Sequence, residues 1–194
     1  MNARQTLTQA QAQAPAQTPA PAPAPASPAK APSLWREAIA LLIKIAVIVL
    51  TFALLFTFAY GIHRSMEPGM NPAVKDGDLV ITYRLDKKYA IGDLLLLEFK
   101  GETQVRRVVA GAGDVVDITE SGLVINGALQ QEPNIYQKTQ PYDGGISFPV
   151  TVGPGQVFVL GDARENATDS RVYGPVNTKD TQGTAISLIR RRHL

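Results

Sequence analysis

Residues Leu94–Gly127 read LLLLEFKGETQVRRVVAGAGDVVDITESGLVING. Within this stretch Leu94–Phe99, Gln104–Val109, Val115–Ile118 and Leu123–Ile125 are short runs rich in branched aliphatic residues. They are broken by Lys-Gly, Gly-Asp and Ser-Gly pairs, the pattern of strands joined by tight turns. Asn126-Gly127 is a strong hairpin signal because both residues accept a positive φ. The same texture continues outward. Leu79–Tyr83 precedes the stretch, and Phe148–Val152, Gln156–Leu160 and Thr184–Arg190 follow it as further expected strands. An irregular segment with Pro133, Pro141 and Gly144-Gly145 reads as a loop over the sheet surface. No part of this region shows sustained helical periodicity. Connections of hairpin length exclude parallel crossovers, so the expected fold class is mainly β, with an antiparallel sheet.

Upstream the composition changes twice. From Ala38 to Ile62 the only charge is Lys44, and 25 residues span about 37 Å as a helix against a hydrocarbon core of about 30 Å. The stretch is apolar on all faces, too long for a cleaved leader, and no Ala-x-Ala site follows it. Lys44 lies close enough to the start for its stem to snorkel. The first 33 residues contain 23 Ala, Pro or Gln and almost no charge. Such a tail cannot bury enough apolar surface to offset the entropy of ordering. The expected organisation is a disordered tail over 1–34, a membrane anchor over 35–63 with Trp35 and Tyr60 at its interfaces, and a β domain over 64–194. Positive residues flank the span on both sides, and the balance favours a single pass with the C-terminal domain outside the cytoplasm.

Charge and composition exclude several classes. Residues 65–194 carry 14 Lys or Arg against 16 Asp or Glu, a net of −2, so nucleic-acid binding has no electrostatic support. The absence of cysteine removes disulfides, thiol catalysis and Cys-based metal sites. His63 and His193 alone cannot build a His-rich metal cluster. No cofactor is expected. Gly111-Ala112-Gly113 is read as a tight turn, because no βαβ context surrounds it.

Four segments carry a resemblance. Gly69-Met70-Asn71-Pro72 is followed by Gly77-Asp78, eight residues after Gly69. Gly92-Asp93-Leu94-Leu95 and Val105–Asp114 form two further boxes. Gly161-Asp162-Ala163-Arg164 runs through Asp169-Ser170-Arg171 to Gly174. Together they resemble the type I signal peptidase family, and the likeness covers nearly all of 65–194 plus the anchor. It implies a serine–lysine dyad on a β scaffold at the outer membrane surface, with the serine attacking the bond after a small-x-small motif. The lysine of such a dyad works only if burial drops its pKa from about 10.4 toward neutrality.

Carried across residue by residue, the resemblance puts Gly69 at the nucleophile and Arg106 at the general base. Glycine has no attacking group. Holding an arginine neutral at pH 7 costs roughly 7 kcal/mol or more before desolvation is counted. A guanidinium there is expected to seek a carboxylate, with Asp162 and Asp169 as candidates. Glu67, Ala163 and Ala167 also depart from the family pattern. Asp162, Arg164, Asp169 and Arg171 are retained and read as two Asp-x-Arg pairs that fix a loop. Met70 and Pro72, kept from the nucleophile box, are implied substrate contacts.

Ser65-Met66-Glu67-Pro68 is a second Ser-Met-x-Pro tetrapeptide four residues upstream, which makes Ser65 a fallback nucleophile. Lys75 and Lys100 are available as bases, but neither falls at the matched position. Two readings follow. One is a non-hydrolytic, anchored assembly factor, similar to Gram-positive members with replaced dyads, whose partners are exported preproteins or pilin precursors and a sortase. The other is an active signal peptidase using Ser65.

Overall fold

The computed structural model describes residues 34–190. The expected tail over 1–34 lies outside the described residues except for Leu34, as does His193. The chain divides into two units, Met1–Leu42 and Ile43–Leu194. Among the described residues, the first holds only the opening turns of a helix. The second holds the rest of that helix and every strand.

The helix α1 spans Leu34–Ala59 and is long and apolar enough to cross a membrane. Its hydroxyls impose no penalty, since Thr51 and Thr57 donate to the carbonyls of Val47 and Ala53 at 2.8 and 2.7 Å. The expected span to Ile62 is too long by three residues. Tyr60–Arg64 is instead strand β1, paired antiparallel with β2, Leu79–Tyr83. The ladder starts where helix propensity meets an available partner. Gly61 permits the close approach, because a Cβ there would sit 2.6 Å from the Thr82 hydroxyl oxygen.

The remaining strands are β3 (Leu94–Phe99), β4 (Glu102–Ala110), β5 (Val115–Thr119), β6 (Gly122–Ile125), β7 (Ala128–Leu129), β8 (Val150–Thr151), β9 (Gln156–Leu160), β10 (Val176–Asn177) and β11 (Thr181–Ile189). A seven-stranded sheet runs β1-β2-β11-β3-β4-β9-β10, and a four-stranded sheet runs β7-β6-β5-β8, with antiparallel pairing throughout. The mainly β, antiparallel expectation holds. The Asn126-Gly127 turn joins β6 to β7 with φ of 52° and 80°. Phe148–Val152 shortens to β8, consistent with Pro149 offering no N–H to a ladder. The region is also not free of helix: a single turn, α2 (Ser170–Tyr173), and a 3-10 turn at Thr178–Asp180 intervene.

Side chains on a strand alternate, so a sheet covered on both faces needs an unbroken apolar run. β3 is such a strand. Leu95 and Leu97 pack with Val108, Val157 and Val159, while Leu96 faces the opposite way against Met70, Val74, Val80 and Val105. A third cluster of Val109, Val116, Ile118, Leu123, Phe158 and Leu160 ties the small sheet to the large one. β4 therefore runs through the middle of the core, and what it carries is held rigidly.

Candidate active site

Arg106 and Arg107 are consecutive on β4 and so point to opposite faces. Arg107 forms a two-pronged pair with Asp162, Nε to Oδ1 at 2.8 Å and Nη2 to Oδ2 at 2.6 Å. That bonding raises the Arg107 pKa despite partial burial. Arg106 has no solvent contact. Its guanidinium grips both carboxylate oxygens of Glu67, the Nη2 to Oε2 bond being 3.0 Å. Nε donates to the Thr168 carbonyl at 3.0 Å and Nη1 to the Val105 carbonyl at 2.5 Å.

The expected partners of Arg106 were Asp162 and Asp169, and the structure corrects this. Strand alternation gives Asp162 to Arg107. Asp169 is held by Arg171, which contacts both its oxygens at 2.8 Å. Of the two Asp-x-Arg pairs, only Asp169–Arg171 forms. Arg164 turns away from Asp162 to the Gly161 carbonyl at 2.7 Å and to Glu132. Burial lowers the Arg164 pKa, with Glu132 opposing it.

Local structure explains why this loop is so dense in charge. Asp169 caps α2, accepting from Arg171 N at 3.1 Å, and also receives Gly161 N at 3.0 Å. Arg171 ties the loop together through the carbonyls of Arg164 and Gln140, at 2.6 and 3.1 Å, and stacks over the Tyr142 ring at 4.7 Å. Tyr142 in turn donates to the Ala167 carbonyl at 2.9 Å.

The turn after β1 meets this loop at Gly69, whose carbonyl accepts from Ala163 N at 3.1 Å. A Cβ on Gly69 would lie 3.2 Å from Arg106 Nη1, 3.2 Å from Glu67 Oε2 and 3.3 Å from the Ala167 methyl. So Gly69, Arg106, Glu67 and Ala167 converge on one point, and a Cβ at Gly69 would press on the ion pair, which would have to give by a few tenths of an ångström. Gly161 backs the contact, since a Cβ there would fall 2.1 Å from the Ala167 methyl. A guanidinium presents N–H donors only and no acceptor.

The other expected site residues fall nearby. Met70 is 1% exposed and packs in the core, where its sulfur receives Asp162 N at 3.4 Å. Pro72 lines an open cleft with Pro68, Asn71, Tyr136 and Asn166. Ser65 is buried, and its peptide group is tied to Asp78 O at 2.9 Å and Gly77 N at 2.8 Å. Among the described residues its hydroxyl meets no lysine within hydrogen-bond distance. The sequence reading missed Glu67 as the partner of Arg106 and Glu132 as the partner of Arg164. The first had a signal: an acid and a base both depart from the family pattern, two and thirty-seven residues from Gly69. The second had none, because Glu132 lies in an irregular loop.

The sequence model of the family described as signal peptidase, peptidase S26 matches residues 35–189. Signal peptidase I of Bacillus amyloliquefaciens is 30% identical over 159 residues, covering 78% of this chain and 84% of its own length. Signal peptidase I of Bacillus licheniformis is 28% identical over 156 residues, covering 74% of this chain and 84% of that one. Probable thylakoidal processing peptidase 2, chloroplastic, of Arabidopsis thaliana is 28% identical over 157 residues. The match takes in 74% of this chain but only 42% of that protein. A crystal structure of a signal peptidase I from Enterococcus faecalis V583 gives a TM-score of 0.42 at 24% identity, over 50% of this chain and 96% of that one. A family match over most of its length, spanning the apolar helix and the strands that hold Arg106, places this chain in the signal peptidase, peptidase S26 family.

Proposed function

We propose that this protein is a membrane-anchored family member in which peptide hydrolysis has been lost and precursor binding kept. One observation carries the reading: the Glu67–Arg106 pair fills the point where Gly69 meets β4. Hydrolysis needs a nucleophile and a proton acceptor in contact. With Gly69 and Arg106 as the family's nucleophile and base positions, both are gone. The clients are exported preproteins, which an extended cleft can hold without cleaving. On the Gram-positive resemblance they are pilin precursors, handed on for sortase-linked assembly. The anchor is α1, and the β domain works on the extracytoplasmic side.

The test is incubation of the full chain, in detergent, with a secretory precursor. No cleavage is expected. Restoring chemistry takes three changes, because a lysine at 106 beside Glu67 would stay charged: Glu67→Ser, Gly69→Ser and Arg106→Lys together are expected to give measurable cleavage. Cleavage by the unmodified protein that disappears in Ser65→Ala overturns the proposal in favour of an active peptidase.

A further inference from the structure

α1 ends at Ala59 and β1 starts at the next residue, so the last carbonyls of the helix face the end of β2 directly. Arg84, the residue after β2, takes two of them. Its backbone N–H donates to Ala59 O at 2.9 Å, and its Nη1 donates to Thr57 O at 3.3 Å. Gly61 makes room for the side chain, since a Cβ there would lie 2.8 Å from both Nε and Nη2. The guanidinium is thus lodged at the negative end of the helix, where a cation is favoured. It makes no ion pair among the described residues, and Nε and Nη2 have no acceptor among them. The carboxylate of Asp86, two residues on, accepts from Lys88 N at 2.9 Å. Aromatic rings mark the depth of this junction. Tyr60 sits 5.7 Å from Phe56 and 5.6 Å from Tyr83, centroid to centroid, and tyrosines gather at headgroup level. Beside Arg84, Leu85 is 66% exposed. With Thr51, Leu54, Leu55, Phe58 and Ala59 it lines an open cavity of about 320 Å³. The Thr51 hydroxyl is turned back to Val47 O at 2.8 Å, which leaves the lining side chains apolar. From Ala59 to Thr51 the helix covers about 12 Å, so the groove runs from headgroup level into hydrocarbon depth.

A positioned cation at the mouth of an apolar groove, alongside a membrane anchor, matches a molecule with an anionic head and a hydrocarbon chain. We propose that this junction binds one anionic phospholipid. Arg84 holds the phosphate through Nε and Nη2, and an acyl chain lies along Leu54, Leu55, Phe58 and Leu85. A free phosphate offers the same head but nothing for the groove. The site rests on α1 as the anchor and not on precursor binding.

The test uses the full chain in nonionic detergent, with bound lipid counted by native mass spectrometry. Phosphatidylglycerol, phosphatidylcholine with the same acyl chains, and inorganic phosphate are titrated separately. One phosphatidylglycerol per chain is expected, held about fivefold tighter than phosphatidylcholine, as one interfacial cation implies. Millimolar inorganic phosphate should not displace it. Arg84→Gln, which keeps the backbone bond to Ala59, should bring the two lipids level. Leu85→Ser should weaken both alike. In the unmodified chain the preference should shrink at high salt, a reading that needs no variant to fold. Equal retention of the two lipids, a preference unmoved by Arg84→Gln or by salt, displacement by inorganic phosphate, or a lipid-free dimer overturns the proposal.

Discussion

A guanidinium without solvent contact persists in a protein interior only when carboxylate and carbonyl oxygens surround it. Arg106 meets that condition through Glu67, Thr168 and Val105. The consequence is mutual dependence. Glu67→Gln leaves a buried positive charge and is expected to cost about 3 kcal/mol in urea unfolding, whereas Arg106→Met leaves a carboxylate that is a quarter exposed and should cost less. The double variant should cost less than Glu67→Gln alone, because the buried charge is removed with its partner. Strict additivity in that cycle would show that the pair is not coupled. Gly69 belongs to the same unit, since the pair leaves its position no room for a hydroxymethyl group without displacement.

Among the elements, α2 is a single turn and cannot hold itself together by helix propensity. Its stability comes from the Asp169 cap, the Ser170 hydroxyl accepting from Val159 N at 3.0 Å, and Tyr173 packed at a tilt against Phe99 at a ring distance of 4.7 Å. Tyr173 buries its hydroxyl near the Arg106 guanidinium without a well-aligned hydrogen bond among the described residues, and burial raises its pKa well above the ordinary 10, with Arg106 opposing. The sign follows from proton binding. Above pH about 10 the unfolded chain releases the phenol proton while the folded chain retains it, so stability is full below that pH and falls as pH rises past it. Tyr173→Phe should therefore be neutral or up to about 1 kcal/mol stabilising at pH 7. Its urea midpoint should also fall less between about pH 9 and 11. Tyr89, raised for the same reason, accounts for part of what remains. An alkaline limb unchanged by the substitution would assign it to other groups. These elements were unevenly legible. Asp169-Ser170-Arg171 read as a loop-fixing pair, and the cap it also forms became visible only with Gly161 and Val159 beside it.

For the whole molecule, the apolar helix α1, long enough to cross a membrane, leads directly into β1. Protease added to intact cells stripped of their wall should digest the β domain and spare α1. Protection of the domain until the membrane is broken would place it on the cytoplasmic side. The sequence by itself determined the apolar span, the strand-rich domain, the Asn126-Gly127 hairpin and the family, because each rests on residues adjacent in the chain or on motifs of fixed spacing. Only the tertiary structure decided that β11, last in the sequence, inserts between β2 and β3, and that Glu67 rather than Asp162 or Asp169 faces Arg106. Strand order and the partner of a buried charge depend on which distant segments pack together. A local pattern of apolar and charged residues is the same for several such pairings, and only their joint burial selects one.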